Sequence, residues 1–407
     1  MKLLKANYTY IEGKYYEDYG VVFEDKIIDV DSIEKITTRY PNLEVEALGE
    51  GSVLFPGFIN SHVHLEFSSN QTTLKYGSFV RWLESVFGSR EEIINASNNR
   101  VIRATLHDML RSGITAFGAI SSYGGELEEV AKSKQKALFF NELIGSNPQS
   151  IDVLYNDFLE RIAQSSNYPN ITPAMAIHSP YSVHPIAIKK ALNFAKENNL
   201  LVSTHFMESS AEKQWLEENQ GEFKAFFEKY LGQSQALTTK EEFLALFNTT
   251  PTHLTHATQV DDADLEHISQ YQHSIAHCPR SNRYLGSAPM PLKKIIDKGI
   301  KFTTATDGLS SNYSLNIFDE LKSALLLHSD IELNLLADKL IESVTKNAND
   351  VLNLNAGIIA KERDADLVVL YIPNQIEDMS DLSLWSILHT NGVSRVYIDG
   401  ELVFTKV

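Results

Sequence analysis

Phe55-Pro56-Gly57-Phe58-Ile59-Asn60-Ser61-His62-Val63-His64-Leu65-Glu66 is an apolar run that ends by presenting two histidines one residue apart. On a strand, successive side chains point to opposite faces, so His62 and His64 share one face and Val63 takes the other. Two imidazoles aimed into one space are the beginning of a metal site. A His-X-His pair is equally at home as two ordinary polar residues at a strand end, and only context separates the readings. Pro56-Gly57 marks a turn before the strand, which leaves the histidines at its C-terminal end. In a parallel barrel, functional groups gather at that end.

Outward from this stretch, residues 53 to about 355 alternate strand-like with helical runs, the pattern of a parallel sheet. After the first strand, Ser78–Phe87 and Glu91–Arg111 have helical spacing. Further strands are read at Gly113–Phe117, Lys136–Phe140, Thr172–His178, Leu200–His205, Thr252–His256, Ser274–His277 and Lys301–Asp307, with a long helical insertion from Ser209 to Phe247. These units predict an α/β fold built on a (β/α)8 TIM-like barrel over 53–356. Residues 1–52 and 357–407 carry short alternating segments, such as Gly20–Phe23 and Ala365–Tyr371, and are expected to pair into one small β-sandwich domain.

The chain has 407 residues, 43% hydrophobic and 22% charged, enough for a full core. A net charge of -17 argues against a nucleic-acid or anionic-membrane surface, which requires clustered Lys and Arg. Small molecules are the expected partners, and a homodimer is compatible with this composition. Cys278 is the single cysteine, so there is no internal disulfide framework, and Met1–Lys5 does not open a signal-peptide core. With no apolar run near the roughly 20 residues of a spanning helix, the expected location is cytoplasmic.

Barrel closure would make neighbours of distant strand ends. His62, His64, His205, His256 and Asp307 all fall there, too many for isolated core histidines, and together they point to a metal centre. The single cysteine excludes the His/Cys/Cys site of the zinc nucleobase deaminases. His-Glu-X-X-His and phosphate-loop motifs are absent as well.

The same residues carry a family likeness. Pro56–His64, Thr204–Glu208, His256-Ala257, His277–Asn282 and Thr306-Asp307-Gly308 resemble the amidohydrolase superfamily, in its adenosine-deaminase-like and chlorohydrolase branch, across the barrel and both β tails. The resemblance implies His62, His64, His205 and Asp307 as ligands, with Glu208 and His256 completing the site. Binuclear members carry a bridging lysine at the end of the fourth strand. Here His178 stands in that place, implying one divalent ion per chain, zinc or Fe(II).

The expected chemistry is hydrolysis by metal-activated water. Asp307 would accept the water proton, His256 would hold the nucleophile and stabilise the oxygen of the tetrahedral intermediate, and Glu208 would protonate the ring nitrogen beside the attacked carbon. For the substrate, the likeness points to a 5'-substituted adenosine, first 6-amino-6-deoxyfutalosine of menaquinone synthesis. The alternatives are adenosylhomocysteine, methylthioadenosine or adenosine, then guanine or triazine hydrolysis. A non-catalytic assembly protein of the same fold would have lost ligands, and none is lost. Candidate substrate contacts are His178, His277, Arg280, Arg283, Trp82 and Glu84, with Phe67 and Phe79 as apolar surface.

Overall fold

Eight parallel strands, Phe58–Val63, Ile114–Ser121, Lys136–Leu143, Ile171–Ile177, Val202–Phe206, Thr252–His256, Ser274–His277 and Phe302–Thr304, pair in chain order into one sheet. The computed structural model describes residues 1–374 and 376–406; Gln375 and Val407, inside the C-terminal segment assigned above, lie outside the described residues. Strands covered on both faces carry continuous apolar runs, and Ile114–Ser121 is buried along its whole length. The sheet curls into a TIM-like barrel.

Side chains close the seam between the first and eighth strands, where no strand ladder forms among the described residues. The Thr306 N–H donates to Asn60 Oδ1 at 3.1 Å, and Asn60 Nδ2 donates to Thr306 Oγ1 at 2.7 Å. The Asp307 N–H donates to the His62 carbonyl at 3.2 Å, and the Ser61 and Thr303 hydroxyls meet at 2.6 Å. Gly118 admits the irregular first strand against the second, since a Cβ there would stand 2.5 Å from the Ser61 carbonyl oxygen.

The chain termini build two smaller sheets. Lys2–Lys5, Tyr19–Phe23, Ile27–Ser32 and Val45–Ala47 form one; Tyr8–Ile11, Lys14–Glu17, Ser52–Pro56, Leu367–Tyr371, Arg395–Ile398 and Glu401–Thr405 form the other. Val21, Phe23 and Ile27 of the first pack with Leu54, Leu367, Val369 and Tyr397 of the second. Val53 to Pro56, read above as the start of the barrel, lies in this second sheet, antiparallel to Leu367–Tyr371. Pro56 has no N–H to extend the ladder, and the chain passes through Gly57 directly into the first barrel strand.

Strand and helix ends differ from the sequence reading by a few residues. The third strand runs on to Leu143, and the helices after the first strand are Phe79–Ala96 and Asn99–Arg111. Their break comes where Asn98 caps the second helix, its side chain accepting the Arg100 and Val101 N–H groups. The insertion folds as Ser210–Glu218, Gly221–Leu231 and Lys240–Leu246, and packs Phe223 against Phe79 and Tyr181. No helix among the described residues is long and apolar enough to cross a membrane.

Asn60→Ala is expected to lower the unfolding free energy by about 1–3 kcal/mol, because it strands the Thr306 N–H at the seam. Chemical denaturation reads this directly. An unchanged midpoint would mean that the seam is held elsewhere.

Candidate active site

His62, His64, His205, His256 and Asp307 stand at or just past strand ends on one face of the barrel. His64 Nε2 and His205 Nε2 face each other at 3.2 Å. Asp307 Oδ1 lies 3.8 Å from His62 Nε2 and 3.7 Å from His64 Nε2. The tautomers follow from the neighbours: His205 Nδ1 donates to the His178 carbonyl at 2.8 Å, so its Nε2 bears a lone pair. His62 Nδ1 meets Thr255 Oγ1 at 3.2 Å, while its buried Nε2 has no hydrogen-bond partner among the described residues. His205 Nε2 offers its lone pair to His64 Nε2 or to a cation between them. A tetrahedral zinc site with bonds of about 2.0–2.1 Å sets its ligand atoms roughly 3.3 Å apart, and the donor atoms of His62, His64 and Asp307, and those of His62, His205 and His256, lie close enough together to hold a metal ion.

Electrostatics sort the groups. Burial holds His62 well below the ordinary histidine value, and it lowers His64 and His205 too, which keeps all three imidazoles in the neutral, ligating form. Asp307 is pushed up by burial, but the neighbouring His64 and His256 and the hydroxyls of Ser281 and Ser311 outweigh this and hold it low. Those serines donate to Oδ2 at 2.6 and 2.7 Å, and the Gly308 N–H donates to Oδ1 at 2.8 Å. Glu208 goes the other way. Burial, then the negative charges of Asp307 and Glu212, raise it well above the carboxylate range. Its Oε1 lies 3.4 Å from His256 Nε2. Backbone strain collects in the same place, with left-handed φ at Met207 (52°), His256 (78°), Ala257 (47°) and Asp307 (55°).

The family model described as "Amidohydrolase family" matches residues 53–403. The chain belongs to the amidohydrolase family. It is 43% identical over 403 residues to an aminodeoxyfutalosine deaminase of a Nitratiruptor species, covering 98% of this chain and 99% of the relative. An adenosine deaminase of Helicobacter pylori is 33% identical, over 95% of each chain. The crystal structure of H. pylori aminofutalosine deaminase in complex with methylthio-coformycin superposes with a TM-score of 0.92 at 31% identity, over 99% of this chain and 100% of that one.

Other residues of this amidohydrolase depart from their expected places. Arg280, expected to meet a substrate carboxylate, is buried and already neutralised: its Nε donates to Glu320 Oε1 at 2.7 Å, one terminal nitrogen donates to the Ser314 carbonyl at 2.8 Å, and Asp319 lies at 3.4 Å. His277 turns with Ile275 to the outer face of its strand and meets His328 Nε2 at 2.9 Å, outside the cluster. Glu84 is exposed and pairs with Lys229 at 3.4 Å. Trp82 commits its Nε1–H to the Ser310 carbonyl at 2.8 Å and its ring to Phe79. His178 follows the fourth strand beside His205, its Nδ1 held by Ser182 Oγ at 2.6 Å. Arg283 is exposed, with no ion-pair partner among the described residues.

The structure also adds residues that the sequence reading passed over. Glu142, one residue before the end of the third strand and past the Phe140 at which the sequence pattern ends it, has its Oε1 3.9 Å from His205 Nδ1. Glu66, two residues after His64, accepts the Tyr123 N–H at 2.6 Å and the Ser122 N–H at 3.1 Å. Asn282 Oδ1 lies 2.8 Å from His256 Nδ1.

Stripping divalent ions with a chelator is expected to lower the melting temperature, and added zinc to restore it. A ligand bound only by the folded state adds about 2.7 kcal/mol at a hundredfold excess over Kd. His205→Ala should abolish the response. Equal melting temperatures with and without the ion in the unmutated chain would count against a metal site.

Proposed function

We propose that this chain hydrolytically deaminates a 5'-substituted adenosine, 6-amino-6-deoxyfutalosine before others, releasing ammonia from purine C6. One observation carries the reading: the carboxyl of Glu208, raised well above the carboxylate range by burial, and that of Asp307, held low by its donors, meet beside His256. An acid and a base kept apart in this way are what addition of water across the C6–N1 bond requires. The full-length similarity to the Nitratiruptor enzyme supports the choice of substrate.

We assign one divalent ion, zinc before Fe(II), to His62, His64, His205 and Asp307. When bound, it supplies Lewis-acid activation of water at neutral pH. The oxygen of water adds to C6 while its proton passes to Asp307, and Glu208 protonates N1. The proton on Asp307 then moves to the departing nitrogen, ammonia leaves, and the new hydroxyl returns its proton to Glu208 as the 6-oxo product forms. Asn282 holds His256 Nδ1 at 2.8 Å and leaves its Nε2 turned to the site. His256 Nε2 is thus placed to hold the attacking water and to stabilise the oxygen of the tetrahedral intermediate. His178, neutral and with Nδ1 occupied by Ser182, offers Nε2 to the purine.

A second reading, adenosine itself, follows from the name of the H. pylori relative. The tail decides between them. With Arg280 consumed, Arg283 is the member of the pair left to meet the benzoate of 6-amino-6-deoxyfutalosine.

Glu208→Gln is expected to keep the metal and lower kcat by about 10²- to 10⁴-fold, since the amide keeps the shape and loses the proton. Turnover like that of the unmutated chain would remove Glu208 from the mechanism. In a separate comparison, kcat/KM should favour 6-amino-6-deoxyfutalosine over adenosine. Arg283→Ala should cost about 1.5–3 kcal/mol on the former and little on the latter. A preference for adenosine in the unmutated chain would select the second reading.

A further inference from the structure

Glu208 follows His205 by three residues, and in an extended strand that spacing places two side chains on opposite faces. Yet Glu208 and His205 both reach the cluster around His256. The reversal happens at Met207, a non-glycine residue held at φ 52°. A left-handed turn at a residue with a Cβ persists only where its surroundings enforce it.

Glu212 supplies most of that enforcement. Its Oε1 accepts the Met207 N–H at 2.9 Å and its Oε2 accepts the Glu208 N–H at 2.7 Å, so both carboxylate oxygens are spent on the turn itself. Glu212 lies in the first turn of the helix Ser210–Glu218, and its own N–H donates to the capping Ser209 Oγ at 3.2 Å. The side chain is fully buried, and among the described residues it makes no ion pair with a cation. Around it, Thr258 Oγ1 donates to the Glu208 carbonyl at 2.8 Å and the Gln259 N–H donates to the Met207 carbonyl at 3.0 Å.

We propose that Glu212 is a positioning residue: its carboxylate clamps the Met207–Glu208 turn and thereby aims the carboxyl of Glu208 at His256 and the substrate ring. This rests on the acid role given to Glu208 above. Glutamine cannot replace it, because an amide offers one acceptor oxygen and sets an NH2 against the other backbone N–H. A shift of the acid by a fraction of an ångström weakens proton transfer while leaving the binding surface intact.

The test is a double-mutant cycle of Glu212→Gln with Glu208→Gln, reading kcat, KM and bound metal with 6-amino-6-deoxyfutalosine, or with the 6-aminopurine nucleoside the unmutated chain turns over fastest. Glu212→Gln alone is expected to lower kcat by about 10- to 100-fold, with KM within about threefold and metal unchanged. With Glu208 already replaced, the same substitution should cost less than about twofold, since a clamp without an acid to aim has nothing to lose. Should Glu212→Gln fail to fold, Glu212→Asp, which withdraws the carboxylate by one methylene, is read in both backgrounds with the same expectation. Equal losses in both backgrounds, or an unchanged kcat, would overturn the clamp. A chain that releases no ammonia from any 6-aminopurine nucleoside would overturn the deaminase reading, and with it the role on which the clamp depends.

Discussion

The meeting of His64 Nε2 with His205 Nε2 at 3.2 Å is the constraint on which the rest of this structure depends. The two nitrogens come from residues 141 positions apart in the chain. They converge because parallel strands in a closed barrel bring all their C-terminal ends to one face. Nothing in the local sequence would hold two buried, neutral imidazoles nose to nose. The barrel imposes the approach, and it thereby brings together two nitrogens able to ligate a metal ion. The seam around Asn60 matters for the same reason, because it joins the strand that carries His62 to the segment that carries Asp307.

Around this centre the protein separates two carboxyls by their surroundings. Asp307 is surrounded by donors, Glu208 by burial and negative charge, and so one is held low while the other is raised well above the carboxylate range. The arrangement demands unusual backbone. Met207, His256, Ala257 and Asp307 take left-handed conformations that cost about 1–3 kcal/mol each, and side chains from other parts of the chain brace the groups around them. Asn282 holds the ring of His256, Ser281 and Ser311 hold Asp307, and Glu212 holds the turn before Glu208.

Much of this was legible in the residues, for reasons that can be named. His62, His64, His205 and His256 could be placed near strand ends because each closes a run whose length and flanking turns mark a strand, although alternation alone would turn His256, paired with Phe206, away from the site. Arg280 was misread because a sequence does not show that Glu320, forty residues on, lies beside it and leaves no charge for a ligand. His277 was misread because its strand is short, so one residue of register decides whether a side chain faces the barrel interior or the helices outside. Glu66 and Glu142 were missed for a related reason: carboxylates at a strand end look exposed until the next loop covers them. The strained turns had no signal at all, since Met207 and His256 are not residues that announce a positive φ.

The account's central claim is that water replaces the 6-amino group of a purine nucleoside at this site. Turnover of 6-amino-6-deoxyfutalosine by the metal-loaded chain in ¹⁸O-labelled water, followed by mass spectrometry of the nucleoside and assay of ammonia, tests it most directly. The account predicts a single ¹⁸O in the base of the product and ammonia released in equal amount. Unchanged nucleoside, or ammonia released without the label entering the base, would contradict it.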